Sequence, residues 1–394
     1  MNLELSNRVQ KIKPSPTLAL SARAKQLQAE GKDILNLTAG EPDFDTPEHI
    51  KEAARKALKD GFTKYTPVDG TASLKQAIMR KFAEENKLKY EPKQIMVTNG
   101  AKQGIYNLMQ ALLNPGDEVI IPAPFWVSYP DIALLADAKP VFIDSTIEDK
   151  FKITPAQLAK AITPKTRLFI INSPSNPSGI AYSKKELAAL GEVLIKHPNI
   201  MILTDDIYEH ILWTQEPFVN IVNACPDLYD RTLVLNGVSK SYAMTGWRIG
   251  YAAGPQKLIE AMTNIQSQST SNPNSIAQVA AEAALKGDQT CIKIMNDAYH
   301  KRHNLIYESL STISGIKSIP ADGTFYSFFS VKGLLNKIPS LKSDIELAEH
   351  LLVHGGVAGI PGSPFGTPDC LRLSFATSET IINDAIRRMR ELFG

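Results

Sequence analysis

A chain of 394 residues, 43% hydrophobic and 21% charged, is long enough for two or three packed units and has a globular composition, neither disordered nor collagen-like. Its 43 lysines and arginines against 41 aspartates and glutamates leave a formal charge of +2, too weak a field to imply nucleic acid or an anionic membrane, so small molecules are the expected partners. The first ten residues hold no apolar leader core, no apolar run approaches the roughly 18 residues that span a bilayer, and the three cysteines (Cys225, Cys291, Cys370) are odd in number and far apart; a cytoplasmic protein without disulfides or a zinc site is expected.

In chain order, Leu74, Ile78 and Phe82 mark one face of a helix opened by a Ser73-x-x-Gln76 capping box. Short apolar runs of the kind buried parallel strands show follow at Ile95–Val97, Val119–Ile121 and Leu168–Ile171. A second capping box, Ser183-x-x-Glu186, opens a helix through Leu187–Ile195, and two more strand runs come at Met201–Leu203 and Leu233–Leu235. Strands alternating with helices predict an α/β fold with a mostly parallel sheet flanked by helices on both faces. From about residue 290 the texture changes to a long helix ending near Leu310, a strand over Phe325–Val331, a helix from Ser343-x-x-Glu346 to Gly355-Gly356, and an amphipathic helix after Ser378. This predicts a smaller α+β unit. No repeat or Gly/Ser linker separates the two, so they are expected to pack closely.

In open α/β sheets ligands bind where strands end, so the residues after each apolar run are the candidates for chemistry. These are Thr98-Asn-Gly-Ala-Lys102, Asn172-Ser-Pro-Ser-Asn176-Pro-Ser-Gly179, Thr204-Asp-Asp-Ile-Tyr208 and Asn236-Gly-Val-Ser-Lys240. Gly100, Ala101 and Lys102 open a helix directly after a strand, where free N–H groups and the helix dipole favour an anion. Asp205 follows a buried strand, where a carboxylate is costly unless paired. Arg372, in the strand-like Leu371-Arg-Leu-Ser374, needs a carboxylate partner if buried, and a guanidinium binds one bidentately.

Together with Lys13-Pro-Ser-Pro-Thr17, Thr38-Ala-Gly-Glu-Pro-Asp-Phe-Asp-Thr-Pro47, Ser239-Lys-Ser-Tyr-Ala-Met-Thr-Gly-Trp-Arg-Ile-Gly250 and Arg372-Leu-Ser-Phe-Ala376, these segments resemble the class I aminotransferases of pyridoxal-phosphate (PLP) fold type I along the whole chain. Within that family the chain is most similar to the bacterial aspartate and aspartate/prephenate branch. The resemblance implies a large domain over 46–295 and a small one made of 1–45 and 296–394. It implies pyridoxal 5′-phosphate held by Lys240 as a Schiff base, an amine that burial and the nearby Arg248 cation would make nucleophilic. The phosphate would rest on Gly100, Ala101 and Lys102 with Arg248 and Ser239, and with Tyr65 reaching across from the second subunit of a homodimer. Asp205 would pair with the pyridinium nitrogen, with Asp206 as bystander; Tyr208 and Asn176 would bond the phenolic oxygen and Trp126 stack on the ring.

For the substrate, the resemblance implies Arg372 as the α-carboxylate clamp aided by the Gly40 amide, with Trp126 and Asn176 beside it. Lys102 with Ser15 and Thr17 would take a distal carboxylate, and Lys13 matches a residue linked to prephenate use. The implied activity is a ping-pong transfer of an amino group between aspartate or glutamate and a 2-oxo acid, with prephenate a further acceptor. The pattern departs from the family at Gly237, where many relatives have a serine that contacts the phosphate.

Three other readings share the cofactor: a C–S β-lyase, a broad-specificity aromatic or alanine aminotransferase, and a non-enzymatic regulator, for whose DNA-binding domain there is no room ahead of Lys13. His350 and His354 have helical metal-ligand spacing but lack a third ligand. Ser314-x-x-Lys317 matches a penicillin-binding motif without its companion motifs, and no G-x-G-x-x-G follows a strand.

Overall fold

Among the residues that the computed structural model describes, 3–12 and 16–394 with every side chain outside 16–18, twelve strands numbered along the chain form three sheets. β1 (Leu35–Asn36) belongs to the smallest sheet, and the large one is built from β2 (Ile95–Thr98), β3 (Glu118–Pro122), β4 (Lys139–Ile143), β5 (Thr166–Asn172), β6 (Met201–Asp205), β7 (Thr232–Gly237) and β8 (Gly250–Ala253). The large sheet has the order β2-β8-β7-β6-β5-β3-β4, parallel throughout except for β8, which runs antiparallel to both β2 and β7. All five apolar runs became strands. The two strands of the large sheet that the sequence concealed are β4, an edge strand with Lys139 and Phe142 exposed, and β8, whose Gly250-Tyr-Ala-Ala253 is too small-sided to read as an apolar run.

Successive strand residues enter opposite cores. Val97, Ile120, Phe169, Ile202 and Val234 face one layer, which the helices Ala72–Glu84 and Lys184–Ile195 cover; Met96, Ile121, Ile170, Leu203 and Leu235 face the other, under Ala101–Leu112 and Gln256–Ser267. The carboxyl ends of β2, β5, β6 and β7 therefore share one sheet edge with the amino end of the reversed β8.

The remaining strands are β9 (Tyr326–Ser330), β10 (Val357–Ala358), β11 (Ile360–Pro361) and β12 (Cys370–Ser374). β12 pairs antiparallel with β11 and β9, and β10 pairs in parallel with β1, which ties the N-terminal segment to the C-terminal one. A third core, containing Leu37, Tyr299, Ile306, Leu347, Leu371 and Ile386, lies under these sheets and the helices Thr290–Leu310, Asp344–Gly355 and Glu379–Phe393. The helix Thr290–Leu310 runs without interruption through the expected 295/296 boundary.

Ser183 and Glu186 form the expected reciprocal box, Glu186 N to Ser183 Oγ at 3.3 Å and Ser183 N to Glu186 Oε2 at 2.7 Å. Ser343 caps Glu346 N at 3.2 Å, but the Glu346 carboxylate turns to Lys342 N, so only half the box forms. Ser73 is a correction: the cap is Thr71, whose Oγ1 accepts from Leu74 N, and Ser73 already lies inside the helix. The buried Gln278 side chain accepts from Thr71 N at 2.8 Å and holds the backbone extended there, a tertiary contact that local sequence does not announce.

Candidate active site

A cleft of about 560 Å³, of a size for small molecules, opens at the shared sheet edge and is closed on its far side by the C-terminal unit. Lys240 and Asp205, from the ends of β7 and β6, both line it. Lys240 is half-buried, and its Nζ donates to the Gly40 carbonyl and lies 5.9 Å from the Tyr208 ring centre. Burial lowers its pKa to about 8; Glu41 opposes this, while Arg372 and then Arg248 reinforce it. The expected neighbouring cation is thus a minor cause, and desolvation the main one.

Asp205 is buried and has no cation in contact among the described residues. Burial raises its pKa to about 6, offset in part by a 2.6 Å hydrogen bond from Tyr129 Oη, by the Ile207 amide and by the charge of Lys240. Asp206, equally buried, is absent from the cleft lining and instead accepts from Thr204 Oγ1 at 2.6 Å and Asn220 Nδ2 at 2.8 Å.

Arg372 is 4% exposed, yet no carboxylate reaches it among the described residues. Its Nη1 donates to Asn176 Oδ1 and its Nη2 to the Thr38 carbonyl, each at 2.9 Å, and it lies 4.4 Å from the Tyr326 ring centre and 5.0 Å from that of Phe365. The Nε hydrogen is buried without an acceptor. Tyr208 Oη and Tyr326 Oη are 2.9 Å apart, both buried, which keeps the Tyr208 phenol well above its ordinary pKa.

At the start of the helix Ala101–Leu112 the Ala101 and Lys102 N–H groups precede the first bond of the turn, which Gln103 N makes to the Gly100 carbonyl at 3.1 Å. Gly100 caps it with φ of +80°, and a Cβ there would strike the Arg248 guanidinium. Arg248, itself left-handed (φ +57°), donates through Nη1 to the Thr245 carbonyl at 3.1 Å and stands just ahead of β8, so the reversed strand delivers it to this edge. Ser239 is buried and lines the cleft. At Gly237 a Cβ would sit 3.0 Å from the Ile249 carbonyl and 3.2 Å from Ile207 Cδ1, a tight fit.

Lys102 also lines the cleft, its Nζ 4.8 Å from the Trp126 ring centre, and burial followed by Arg248 lowers its pKa. Trp126 is half-buried and edge-on to Tyr129. Of the other expected residues, Ala101, Asn176, Tyr208 and Gly40 line the cleft too. Tyr65 does not: its side chain is 92% exposed and outside the cleft lining. Lys13 and Ser15 lie outside the described residues, as does the side chain of Thr17, in the helix Pro16–Ala29.

Sequence reasoning missed Tyr129, Tyr326, Thr38 and Glu41, the last accepting from Thr245 Oγ1 at 2.9 Å. The His350 and His354 rings lie 4.6 Å apart, tilted by 43°, and among the described residues no third metal ligand joins them. Ser314 Oγ accepts from Lys337, whereas Lys317 pairs with Glu148, so the Ser-x-x-Lys spacing makes no unit. No described helix is long and apolar enough to cross a membrane.

A profile of the family described as aminotransferase class I and II matches residues 32–389. An aspartate/prephenate aminotransferase of Nitrosomonas europaea is 58% identical over 99% of this chain and 100% of its own, and an aspartate aminotransferase of Geobacillus stearothermophilus is 47% identical over 98% of each. Among solved structures, the aspartate aminotransferase of Rhizobium meliloti superposes with a TM-score of 0.96 at 46% identity, covering 99% of this chain and 98% of that one. That of Thermus thermophilus with maleate gives 0.93 at 41%, covering 99% and 100%. The α/β fold expected from the sequence is the fold of these enzymes, and the chain belongs to the class I and II aminotransferases.

Proposed function

We propose that this enzyme holds pyridoxal 5′-phosphate and moves an amino group between L-aspartate or L-glutamate and a 2-oxo acid in a ping-pong cycle, with prephenate as a further acceptor. The observation that carries the reading is that the Lys240 amine and the Asp205 carboxylate face one cleft. The residues present fit the cofactor: a buried carboxylate with no cation in contact, an amine with a lowered pKa, and a helix N-terminus at Ala101 and Lys102 beside an arginine. When bound, the cofactor supplies an electron sink for charge developing at the substrate Cα.

In this reading Asp205 holds the ring nitrogen protonated, Tyr208 and Asn176 bond the phenolic oxygen, and Trp126 covers the ring. Ala101, Lys102, Gly100, Ser239 and Arg248 bind the phosphate, with Tyr65 contributed by the second copy of a homodimer. Arg372 takes the substrate α-carboxylate, which its unpartnered Nε and the lack of a protein carboxylate leave it ready to do. Lys240, uncharged, removes the proton from Cα and returns it on the other side of the transfer. Lys102, with Ser15, Thr17 and Lys13, faces the distal carboxylate; the maleate bound by the Thermus relative is a dicarboxylate of that kind. Segments 1–45 and 296–394 act as one domain against 46–295, in a reducing cytoplasmic setting that suits three unpaired cysteines.

Steady-state kinetics with aspartate, and with prephenate against a glutamate donor, test the substrate range. Lys240→Ala should bind the cofactor without the absorption band of the lysine adduct and should not transaminate; wild-type turnover in that variant overturns the proposal. Pyruvate release from a cysteine-type substrate would mark a β-lyase instead, and no turnover of any amino acid a regulator.

A further inference from the structure

Behind the cleft lies a set of buried polar side chains with no part in binding or proton transfer. Lys81, on the helix Ala72–Glu84, forms an ion pair with Glu209, the residue after Tyr208, and both are almost inaccessible. Glu209 accepts from Asn86 Nδ2 and from Asn236 Nδ2, at the end of β7, each at 2.7 Å. Lys81 also donates to Asn86 Oδ1 at 2.7 Å. Glu85, one turn after Lys81, meets His210 Nε2 at 2.9 Å, and His210 Nδ1 lies 3.0 Å from Oγ of Ser241, the residue after Lys240. A carboxylate only accepts, so Nε2 carries a proton toward Glu85, and Nδ1 shares the second hydrogen bond with the Ser241 hydroxyl.

Two other uses fail on geometry. Glu85, Glu209 and His210 bring their ligand atoms within 4.8 Å, but the Lys81 ammonium already stands among them, 3.6 Å from Glu85. The serine–histidine–glutamate order is shared with hydrolases, but Ser241 is 2% exposed and no substrate reaches it. Nor is stability a sufficient reason, because replacing a buried ion pair by apolar residues is often neutral or better.

We propose that this network is a brace in which Lys81 and His210 are positioning residues: one arm fixes Tyr208 through Glu209, the other fixes Lys240 through Ser241, and both are rooted at the end of one helix, on Lys81 in its last turn and on Glu85, its C-cap. The site residues stand on separate strand ends, and a common anchor keeps the amine and the phenol in register as ligands come and go. This rests on the reading of Lys240 as the reactive amine.

The test uses the PLP-loaded enzyme and its cofactor-free form in Ser241→Ala, in His210→Gln and in the double variant Lys81→Met with Glu209→Leu, because either single change would bury a lone charge. We expect kcat to fall about tenfold while the KM for aspartate stays within about twofold, with a shifted absorption maximum of the Lys240 adduct. In the cofactor-free protein, amide hydrogen exchange over 205–212 and 236–245 should accelerate while the core of the 72–84 helix is unchanged. Wild-type kcat and exchange in these variants, or a loss that only follows the unfolded fraction, overturns the brace. A wild-type protein that does not transaminate, or an active Lys240→Ala, sinks the functional reading and the brace with it; a working enzyme indifferent to Ser241→Ala sinks the brace alone.

Discussion

Tyr129→Phe removes one oxygen from the molecule and should be felt at the far end of the cofactor. The Tyr129 hydroxyl donates to Asp205 Oδ2 at 2.6 Å with both groups buried, a charge-assisted bond worth about 1.5–3 kcal/mol. At 1.36 kcal/mol per tenfold change in proton affinity, its loss makes Asp205 bind a proton roughly ten to a hundred times more tightly than it does with a pKa of about 6. A carboxyl whose folded pKa is already raised contributes stability below its unfolded value near 4 and loses it as pH rises through about 6; the variant extends that loss upward. Cofactor-free Tyr129→Phe should therefore be destabilised at pH 8 and nearly unaffected at pH 5. At neutral pH much of its Asp205 would be protonated and unable to hold a ring N–H, so the cofactor Kd should rise by up to the same factor, more at pH 6.5 than at pH 8.5. Fluorescence titration of the cofactor-free protein with pyridoxal phosphate, together with kcat/KM against pH, measures both. A Tyr129→Phe protein with an unchanged Kd across that range would show that Asp205 does not depend on the bond and would refute the argument.

Lys240→Met should stabilise the cofactor-free protein. The folded pKa of Lys240 is lowered to about 8, so its contribution is present above about 10.5 and lost as pH falls through 8, a cost of about 3 kcal/mol at pH 7; thermal melts should show a gain at pH 7 that fades toward pH 10, and a gain independent of pH would contradict this. Lys102→Ala should lower kcat/KM for aspartate and glutamate about a hundredfold relative to alanine, since only the dicarboxylates lose a charge partner, and an equal loss on all three would count against it. Gly100→Ala places a Cβ at a φ of +80° and against Arg248, so cofactor affinity should fall about tenfold through the displaced guanidinium; retention of wild-type affinity would mean that Arg248 does not bind the phosphate.

The central strands could be read from the sequence because both their faces are buried, which writes them as unbroken apolar runs. β4 escaped because an edge strand carries exposed residues, and β8 because small side chains suffice where helix Ala101–Leu112 packs close: a Cβ on Gly250 would collide with the Ala101 amide. The misplaced cap has a similar origin. Thr71 and Ser73 offer the same local chemistry, and a glutamine 207 residues away decides between them. The segments at strand ends could likewise be singled out, since topology sends those ends to one edge, while the roles of single residues within them came from the family resemblance. Tyr129, Tyr326 and Thr38 could not, because they reach Asp205, Tyr208 and Arg372 across separations of 76, 118 and 334 residues, and no pattern within one segment encodes such a meeting.

The charge balance also changes meaning between sequence and structure. Over the whole chain the formal charge is only +2, and that near-neutrality argued for a small partner without saying which. In the cleft, five cationic side chains, Lys25, Lys102, Lys240, Arg248 and Arg372, face two acids, Glu41 and Asp205. Of the cations, Arg372 is buried, and neither it nor Arg248, Lys102 or Lys240 has a carboxylate within ion-pair distance among the described residues. Burial lowers the pKa of Lys102, Lys240 and Arg372, and at Lys102 and Lys240 the neighbouring cations lower it further, because like charges gathered in a partly dry site repel one another. Such an arrangement is relieved by anions supplied from outside at more than one point. Under the proposed function, a phosphate at the helix N-terminus, an α-carboxylate at Arg372 and a second carboxylate at Lys102 would meet that demand together, whereas a neutral or monocarboxylic amino acid would leave Lys102 uncompensated.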